Sequence, residues 1–117
     1  MAHKVLVTHH IPVEGLEALK ENFEIKVPEG KYFSHEELAE MIADYDALIP
    51  VFGFEINRDL IEKGKNLKII ANFGAGYNNI DVEAANEKNI LVTNTPKTVI
   101  EPTAELAFAL LLSLVRR

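Results

Sequence analysis

The chain has 117 residues, which is enough for one domain with its own core and too few for two domains of ordinary size. It contains 12 Lys and Arg residues and 18 Asp and Glu residues, which gives a net charge of −6, and it has no block of basic residues. We therefore do not expect a surface that binds nucleic acid or an anionic membrane. The absence of cysteine excludes disulfides, thiol nucleophiles and cysteine-based zinc sites, and no segment reaches the roughly 18 apolar residues of a membrane span. We therefore expect a soluble, cytoplasmic α/β domain.

The first half of the chain alternates between strand and helix patterns. An apolar β-branched run predicts a first strand at 5–8, and Pro12 with apolar residues at 13, 16 and 19 predicts a helix. A second strand is predicted at 23–27. Ser34 and Glu37 form a capping box that opens a second helix. A third strand is predicted from Ala47 to about Gly53.

The second half continues the same alternation. Asn57 is placed to cap a short helix that stops at Gly64, and residues 67–73 form an apolar run typical of a central parallel strand. Asp81 starts a fourth helix, residues 90–92 predict a fifth strand, and Glu101 opens the last helix. Five strands alternating with five helices predict a three-layer, flavodoxin-like α/β domain over residues 1–117, with a five-stranded parallel sheet in the order 2-1-3-4-5.

The last helix is apolar on every side. Ten of the twelve residues from Ala104 to Val115 are apolar, whereas a helix lying on a sheet normally keeps one polar side. Either neighbours within the domain bury this helix, or it packs against a second domain or another subunit. Because the pattern breaks off at Arg116 and Arg117, the chain resembles the first part of a longer protein.

Ligands of open parallel sheets bind outside the carboxyl ends of the strands, and four loops are expected there, at 8–12, 51–55, 72–79 and 93–103. In the third loop, Gly74 and Gly76 let the backbone approach a ligand and direct amide N–H groups at an anion. Asn79 occupies the third glycine position of a dinucleotide motif, so a small carboxylate suits the loop better. The alternative is that the two glycines only make a tight turn.

The ionisable side chains form no evident catalytic set. His9 and His10 follow the first strand, but neither has a carboxylate partner nearby in sequence, so exposed loop histidines are the simpler interpretation. His3 and His35 are expected away from the strand ends that build a site. Asp81 is explained by helix capping. Three further cations are interpreted as solvated charges: Arg58, Lys97 and Arg116. The sequence contains no cluster of residues with metal-ligand spacing.

Three ordered motifs point to one family. They are Asn-Phe-Gly-Ala-Gly-Tyr-Asn-Asn-Ile-Asp at 72–81, Ile-Leu-Val-Thr-Asn-Thr-Pro at 90–96, and Thr-Ala-Glu-Leu-Ala-Phe-Ala-Leu-Leu-Leu at 103–112. Together they resemble the D-isomer-specific 2-hydroxyacid dehydrogenases, which include glyoxylate/hydroxypyruvate reductases, phosphoglycerate dehydrogenases, D-lactate dehydrogenases and formate dehydrogenases. The resemblance covers essentially the whole chain and corresponds to the N-terminal, flavodoxin-like substrate domain.

The resemblance implies roles for particular positions. The loops Val51-Phe52-Gly53 and Gly74-Ala75-Gly76 match those that hold the substrate carboxylate, and Thr103 matches the position that touches the nicotinamide cofactor. Residues 102–117 match the interdomain helix on which the coenzyme domain packs. Because the loop at 51–55 contains no Lys or Arg, it favours glyoxylate or hydroxypyruvate over a phosphorylated substrate.

The resemblance also implies what these 117 residues lack. No position here matches the family's coenzyme loop, its catalytic Arg, its assisting acid or its proton-transferring His. Neither His9 nor His10 can replace these groups. We therefore expect a substrate-binding domain of an NAD- or NADP-dependent enzyme that is inactive by itself, carries no catalytic residue and binds no cofactor tightly. Its bare helix is expected either to self-associate or to repack against the domain's own sheet. The alternative is a stand-alone small-ligand or interaction module that dimerises through the last helix.

Overall fold

A computed structural model describes residues 2–117, and for Val13 only the backbone. Its single sheet contains five strands: β1 (His3–Val7), β2 (Phe23–Lys26), β3 (Ala47–Ile49), β4 (Ile69–Ala71) and β5 (Leu91–Thr93). All neighbouring strands pair in parallel, in the order β2-β1-β3-β4-β5, which confirms the predicted sheet. β3 and β4 are shorter than predicted because their regular backbone pairing stops early. Beyond the two strands, only the isolated bridge between Val51 and Phe73 joins these segments.

The five helices are α1 (Glu17–Lys20), α2 (His35–Met41), α3 (Arg58–Lys63), α4 (Val82–Glu87) and α5 (Ile100–Arg116). Three predicted caps are confirmed: Ser34 forms the capping box with Glu37, and Asn57 and Asp81 accept hydrogen bonds from backbone N–H groups in the first turns of α3 and α4. The first helix is less regular than predicted. It divides into a 3-10 turn at Val13–Gly15 and the single turn of α1, since a glycine in a helix interior costs about 1 kcal/mol.

The two faces of the sheet are covered unequally. Helices α2, α3 and α4 pack on one face, where Leu6, Leu48 and Ile70 from β1, β3 and β4 are completely buried. On the opposite face, α1 and the turn before it cover β1 and part of β3 through Leu16 and Leu19. The β4–β5 half of this face is open, and the side chain of Leu91 remains 67% exposed.

Helix α5 projects from the domain. None of its residues is buried, and it packs against the preceding 3-10 turn at Lys97–Val99. The described residues therefore extend over 59 × 31 × 23 Å. The possibility that neighbours within the domain bury this helix is wrong, because α5 leaves the sheet instead of returning over it.

The helical stretch Lys97–Arg116 is long and apolar enough to cross a membrane by length and composition, and its most apolar 18-residue window has a mean hydropathy of 1.6. The expectation that no segment reaches this threshold is wrong, because Glu101, Glu105 and the few polar residues interrupt the run without lowering its mean enough. One such helix is weak evidence for a membrane span, since core helices of soluble proteins pass the same test.

Asp46, just before β3, connects residues of β1 and the segment before β4 at the amino-terminal edge of the sheet. It accepts a hydrogen bond from Lys4 N–H at 2.9 Å and lies 3.3 Å from Lys68 Nζ and 3.4 Å from His3 Nδ1. The Lys4 N–H, followed by Lys68 and His3, holds the pKa of the Asp46 carboxyl below its usual value. The ionised form is therefore favoured by folding, and its contribution to stability is lost as the pH falls through the lowered pKa.

We expect Asp46→Asn to lower the free energy of unfolding at neutral pH by about 1 kcal/mol, the usual worth of one such hydrogen bond. The difference from wild type should shrink at acidic pH, as the pH falls through the lowered pKa and the carboxyl becomes protonated in the folded state as well. Urea unfolding at the two pH values measures this. Asp44→Asn, a nearby substitution outside this cluster, is the control. A destabilisation of equal size at both pH values would contradict an electrostatic origin.

Candidate functional site

The four loops predicted at the carboxyl edge of the sheet do meet there. Val51 N–H donates to Thr8 Oγ1 at 3.1 Å, which joins the loops after β1 and β3. Phe73 N–H donates to Pro50 O at 2.9 Å, which joins the loops after β3 and β4. Thr95 N–H donates to Gly74 O at 3.0 Å, which adds the loop after β5. The two loops predicted to hold a carboxylate, 51–53 and 74–76, are therefore neighbours.

The first of these loops is a strained tight turn. Phe54 N–H donates to Val51 O at 3.2 Å, and the two central residues, Phe52 and Gly53, have φ of 53° and 71°. Glycine adopts this left-handed conformation freely, but a bulky residue such as Phe52 does so at a cost of about 1–3 kcal/mol. The ring of Phe52 is 78% exposed, so burial does not offset that cost. Strain of this kind concentrates at functional sites.

The second loop is held by its carbonyl oxygens. Gly74 O accepts from Thr95 N–H at 3.0 Å, Ala75 O from Asn94 Nδ2 at 2.7 Å, and Gly76 O from Asn72 Nδ2 at 2.7 Å. Within residues 2–117, the amide N–H groups of these three residues and of Gly53 have no hydrogen-bond acceptor, whereas Phe52 N–H faces Phe73 O in the bridge between Val51 and Phe73. Four backbone donors on two adjacent loops are thus available to a ligand, and such clustered donors bind anions.

Asn72 is the side chain that shapes this edge. It is only 3% exposed, and besides its bond to Gly76 O it accepts from Asn79 Nδ2 at 3.3 Å. Asn79 Nδ2 also lies 3.0 Å from Phe54 O, so the two asparagines connect the loop after β4 with the loop after β3. Neither role was predicted from the sequence, nor was that of Asn94. The available signal was an amide that directly follows an apolar strand, since a buried amide requires partners.

The two glycines are not required by the packing of the loop. A Cβ at Gly76 would lie 3.5 Å from Asn78 Oδ1, and one at Gly74 would lie 3.4 Å from Asn72 Nδ2. Both are ordinary contact distances, and neither residue has a positive φ. The alternative that these glycines only make a tight turn therefore has no steric support at Gly76.

His9 lies in an aromatic cluster next to the first loop. Its ring centroid is 5.5 Å from those of Tyr32 and Phe54 and 6.3 Å from that of Phe52, and its Nδ1 is 2.8 Å from Thr8 Oγ1. The simpler interpretation of His9 as an exposed loop histidine is wrong, because these rings half-bury it. Burial lowers the pKa of His9 and favours the neutral imidazole.

His35 also departs from its expected place. Its Nε2 is 2.8 Å from Glu55 O, and its ring stacks on Phe54 with centroids 4.3 Å apart. His35 thus supports the loop after β3, although it was expected away from the strand ends. The cause is the start of α2, which lies against this loop. His10 is exposed, and His3 lies at the opposite end of β1 with Asp46, as expected.

The other charged side chains have structural roles. Asp81 caps α4 by accepting from Ala84 N–H at 2.9 Å, as predicted. Arg58 is not a free solvated charge, because it forms a salt bridge with Glu87 and lies 4.0 Å from Asp81, so it connects α3 and α4. Lys97 and Arg116 are exposed. In the described part of the chain, no group of three or more His, Asp or Glu side chains could hold a metal ion.

The two amide-rich loops form an open edge. A cavity of about 320 Å³ nearby borders Asn72 and Phe73 but none of the four donor residues. Thr103 is exposed on α5. The described residues also do not fit a dinucleotide, since the strand-to-helix loop with the Gly-x-Gly sequence has Asn79 where the third glycine should be. A ligand held here would need a second wall from outside the described residues.

Comparison with known proteins gives a consistent result. The family model described as "D-isomer specific 2-hydroxyacid dehydrogenase, catalytic domain" matches residues 5–113. A Staphylococcus aureus (strain MRSA252) protein, provisionally named 2-hydroxyacid dehydrogenase, is 47% identical over 115 residues. That alignment covers 97% of this chain but 36% of the relative, so the chain spans little more than a third of the relative's length.

Solved structures agree with the sequence comparison. The TT0316 protein from Thermus thermophilus superposes with a TM-score of 0.85 and 37% identity, over 97% of this chain and 37% of that one. An NADPH-dependent glyoxylate/hydroxypyruvate reductase from Sinorhizobium meliloti, solved with NADP and malonate, gives a TM-score of 0.75 and 31% identity, over 96% and 34%. Both superpositions extend over nearly the whole of this chain. The chain belongs to the D-isomer specific 2-hydroxyacid dehydrogenase family of oxidoreductases and matches its catalytic domain.

Proposed function

We propose that this chain is the substrate-binding domain of an NAD- or NADP-dependent oxidoreductase that reduces 2-oxo acids to D-2-hydroxy acids. The observation that supports the proposal is the pair of adjacent loops, 51–53 and 74–76, with four backbone donors that have no acceptor within the described residues. We assign the substrate carboxylate to these donors. Because the three carbonyls of 74–76 are tied by Thr95, Asn94 and Asn72, the donors are fixed before a ligand arrives.

The substrate that suits these loops is small. Residues 51–55 contain no Lys or Arg to pair with a second anionic group such as a phosphate. Glyoxylate and hydroxypyruvate each present one carboxylate beside the reacting carbonyl, which backbone N–H groups can hold without a charged side chain. The name of the S. meliloti relative supports this substrate class.

The cofactor and the proton-transferring groups belong to a second domain in this proposal. Hydride transfer needs a nicotinamide site and a group that protonates the carbonyl oxygen, and the described residues fit neither role. Residues 102–117 are assigned to an interdomain helix on which the coenzyme domain packs, which gives the exposed α5 a covering partner. We further propose a cytoplasmic enzyme, since nicotinamide cofactors and 2-oxo acids are available there.

We expect the 117-residue chain by itself to give no detectable oxidation of NADH or NADPH with glyoxylate or hydroxypyruvate. Its residues supply a carboxylate site only. Absorbance at the nicotinamide band measures this, with a two-domain relative as the positive control. Turnover by the isolated chain above the no-enzyme rate would contradict the proposal that the cofactor site and the proton-transferring groups belong to a second domain.

Thr103 is proposed to touch the nicotinamide from the substrate-domain side. In a protein that joins this chain to a coenzyme domain, Thr103→Val removes one hydroxyl and should weaken cofactor binding and turnover by roughly tenfold, the worth of one lost hydrogen bond. Thr98→Val, before α5 on the exposed 3-10 turn, serves as the control. Unchanged KM for the cofactor and unchanged kcat would remove Thr103 from the site.

A second candidate function is a stand-alone small-ligand or interaction module that dimerises through α5. The observation that favours it is the complete exposure of that helix. The gene discriminates between the two. A reading frame that continues past Arg117 into a Gly-x-Gly-x-x-Gly unit supports the enzyme domain, whereas a stop codon there supports the module.

A further inference from the structure

The first amide-rich loop, 51–53, needs support from the rest of the domain. Both of its central residues, Phe52 and Gly53, have a left-handed φ. A bulky residue keeps such a conformation only where its surroundings determine it. The bridge between Val51 and Phe73 anchors the start of the loop, and two histidine side chains support it further.

Thr8 and His9 hold the start of the loop from below. Thr8 is completely buried, and its Oγ1 accepts from Val51 N–H at 3.1 Å and lies 2.8 Å from His9 Nδ1. The hydroxyl hydrogen needs an acceptor, because a buried polar group without a partner is costly, and among the described residues His9 Nδ1 is the acceptor within reach. Nδ1 is therefore unprotonated, and the neutral ring of His9 carries its hydrogen on Nε2.

The surroundings of His9 agree with a neutral ring, since burial lowers its pKa. A protonated ring would direct an Nδ1–H at Thr8 Oγ1, which already accepts from Val51 N–H. The hydroxyl hydrogen of Thr8 would then lose its acceptor at a completely buried position. The hydrogen bonds from Val51 through Thr8 to His9 thus form one chain that requires the neutral imidazole.

His35 holds the other end of the loop. Its Nε2 lies 2.8 Å from Glu55 O, so the ring donates its Nε2–H to that carbonyl. His35 is the first residue of α2, and the capping box of Ser34 and Glu37 fixes the backbone at this point. The donor to Glu55 O is therefore attached to a well-defined helix start.

Phe54 contacts both histidines. The ring of His35 stacks on it with centroids 4.3 Å apart and an interplanar angle of 16°, and the ring of His9 meets it at 5.5 Å and 81°. Stacked and edge-to-face arrangements are the two that aromatic rings favour. Phe54 also supplies the N–H that closes the tight turn on Val51 O, so a fixed Phe54 ring stabilises the turn.

We propose that His9 and His35 are positioning residues, which hold the Gly53 amide N–H in place for the substrate carboxylate. His9 acts through Thr8, and His35 acts through Glu55 O. The inference rests on the proposed function, since it assigns this donor to the carboxylate of a 2-oxo acid. Neither histidine touches the substrate or the reacting atoms. Together they prevent the left-handed turn from relaxing, which would displace the donor.

Displacement of a carboxylate donor has a distinct kinetic signature. The carboxylate carries the same charge in the substrate and in the transition state of carbonyl reduction, so loss of its donor weakens the binding of both alike. KM for glyoxylate then rises, while kcat stays nearly unchanged. A variant that is only partly folded has fewer active molecules, which lowers kcat and leaves KM unchanged.

Steady-state kinetics with glyoxylate, in a protein that joins this chain to a coenzyme domain, tests each histidine. We expect His9→Leu and His35→Leu each to raise KM for glyoxylate roughly tenfold, the effect of one misplaced hydrogen bond to a charged group, with kcat within about twofold of wild type. His9→Asn keeps an acceptor near the Nδ1 position, and His35→Gln keeps an N–H donor near Nε2, so both should restore KM to within a few-fold of wild type. His10→Leu, at an exposed neighbouring position, is the control and should change neither constant.

The hydrogen-bond chain itself gives a sharper comparison. Thr8→Val keeps the shape of the side chain but removes the acceptor of Val51 N–H, and should raise KM for glyoxylate at least as much as His9→Leu. Because both substitutions break the same chain, the double variant should be no worse than Thr8→Val alone. Additive effects on KM would show that His9 does not act through Thr8 and would overturn that part of the proposal.

Nitrogen-15 NMR of the histidine rings in the 117-residue chain gives a readout that needs no enzyme activity. At neutral pH, His9 should show an unprotonated Nδ1 and a protonated Nε2. Thr8→Val should also shift the amide signals of Val51 and Gly53, whereas His10→Leu should not. A His9 ring protonated on Nδ1 would overturn its role as acceptor for the Thr8 hydroxyl.

The kinetic outcomes separate this inference from the proposed function. Normal turnover of glyoxylate by wild type, with a wild-type KM in either leucine variant, would overturn the role of that histidine alone. A loss of kcat without a change in KM would show a purely structural role and would also overturn it. Absence of turnover with every 2-oxo acid in the wild-type two-domain protein would overturn the proposed function, and the role of both histidines in it.

Discussion

Replacing Asn72 with leucine should lower the free energy of unfolding by about 2–3 kcal/mol, the largest stability effect expected at the candidate site. The change removes the donor to Gly76 O and the acceptor for Asn79 Nδ2 and leaves these polar groups near a buried, apolar position. A leucine of similar volume fills the space, so the loss reflects hydrogen bonds rather than a cavity. Urea unfolding of the 117-residue chain measures it.

The exposed Asn78 of the same loop provides the control. Asn78→Leu should change stability by less than about 0.5 kcal/mol, as surface substitutions usually do. If Asn72→Leu were equally mild, the loop 74–76 would keep its shape without the buried amide. The fixed arrangement of donors would then have another cause.

Replacing Gly76 with valine should reduce kcat/KM for a 2-oxo acid by at least about 100-fold, in a protein that joins this chain to a coenzyme domain. The valine side chain would fill the space in front of the amide donors, where the carboxylate is proposed to bind. Ala75→Ser adds a single small hydroxyl to a residue that already has a Cβ, and should change kcat/KM only a few-fold. Steady-state kinetics on the three proteins gives the comparison.

Stability separates a ligand effect from a folding effect at this position. A Cβ at Gly76 meets its nearest neighbour at 3.5 Å and φ is not positive, so Gly76→Val should leave the unfolding free energy of the isolated chain within about 1 kcal/mol of wild type. A large loss of stability would restore the tight-turn explanation for the glycine. Equal, small kinetic effects of Gly76→Val and Ala75→Ser would remove this loop from the substrate site.

The elements most accurately predicted from sequence are those determined by local contacts. Ser34 with Glu37, Asn57 and Asp81 each cap the helix that follows them, because capping joins residues only three positions apart. The sheet order followed from strand patterns and the handedness of crossovers. The exception among local elements is the first helix, where Gly15 interrupts the apolar spacing and leaves a 3-10 turn before α1.

The features that sequence reasoning missed depend on contacts between distant residues. His35 supports the loop after β3 through Glu55 O, 20 positions away, and Asn79 reaches Phe54 O across 25 positions. Nothing in the local sequence of either residue indicates its partner. The two glycine-containing segments of the candidate site were found, but the asparagines that shape them were not, because their role depends on burial.

Because α5 does not contact the sheet, the chain is expected to unfold as two independent units, the sheet with its packed helices and α5 alone. Unfolding of the sheet with α1 to α4 does not require α5 to melt, and α5 gains no support from the sheet. A lone helix of 17 residues is only slightly longer than those that are marginally stable in water, because helix nucleation is costly. In the proposed two-domain enzyme, formation of α5 and its burial against the coenzyme domain are consequently coupled, and residues 100–116 are fully helical only when the two domains are in contact.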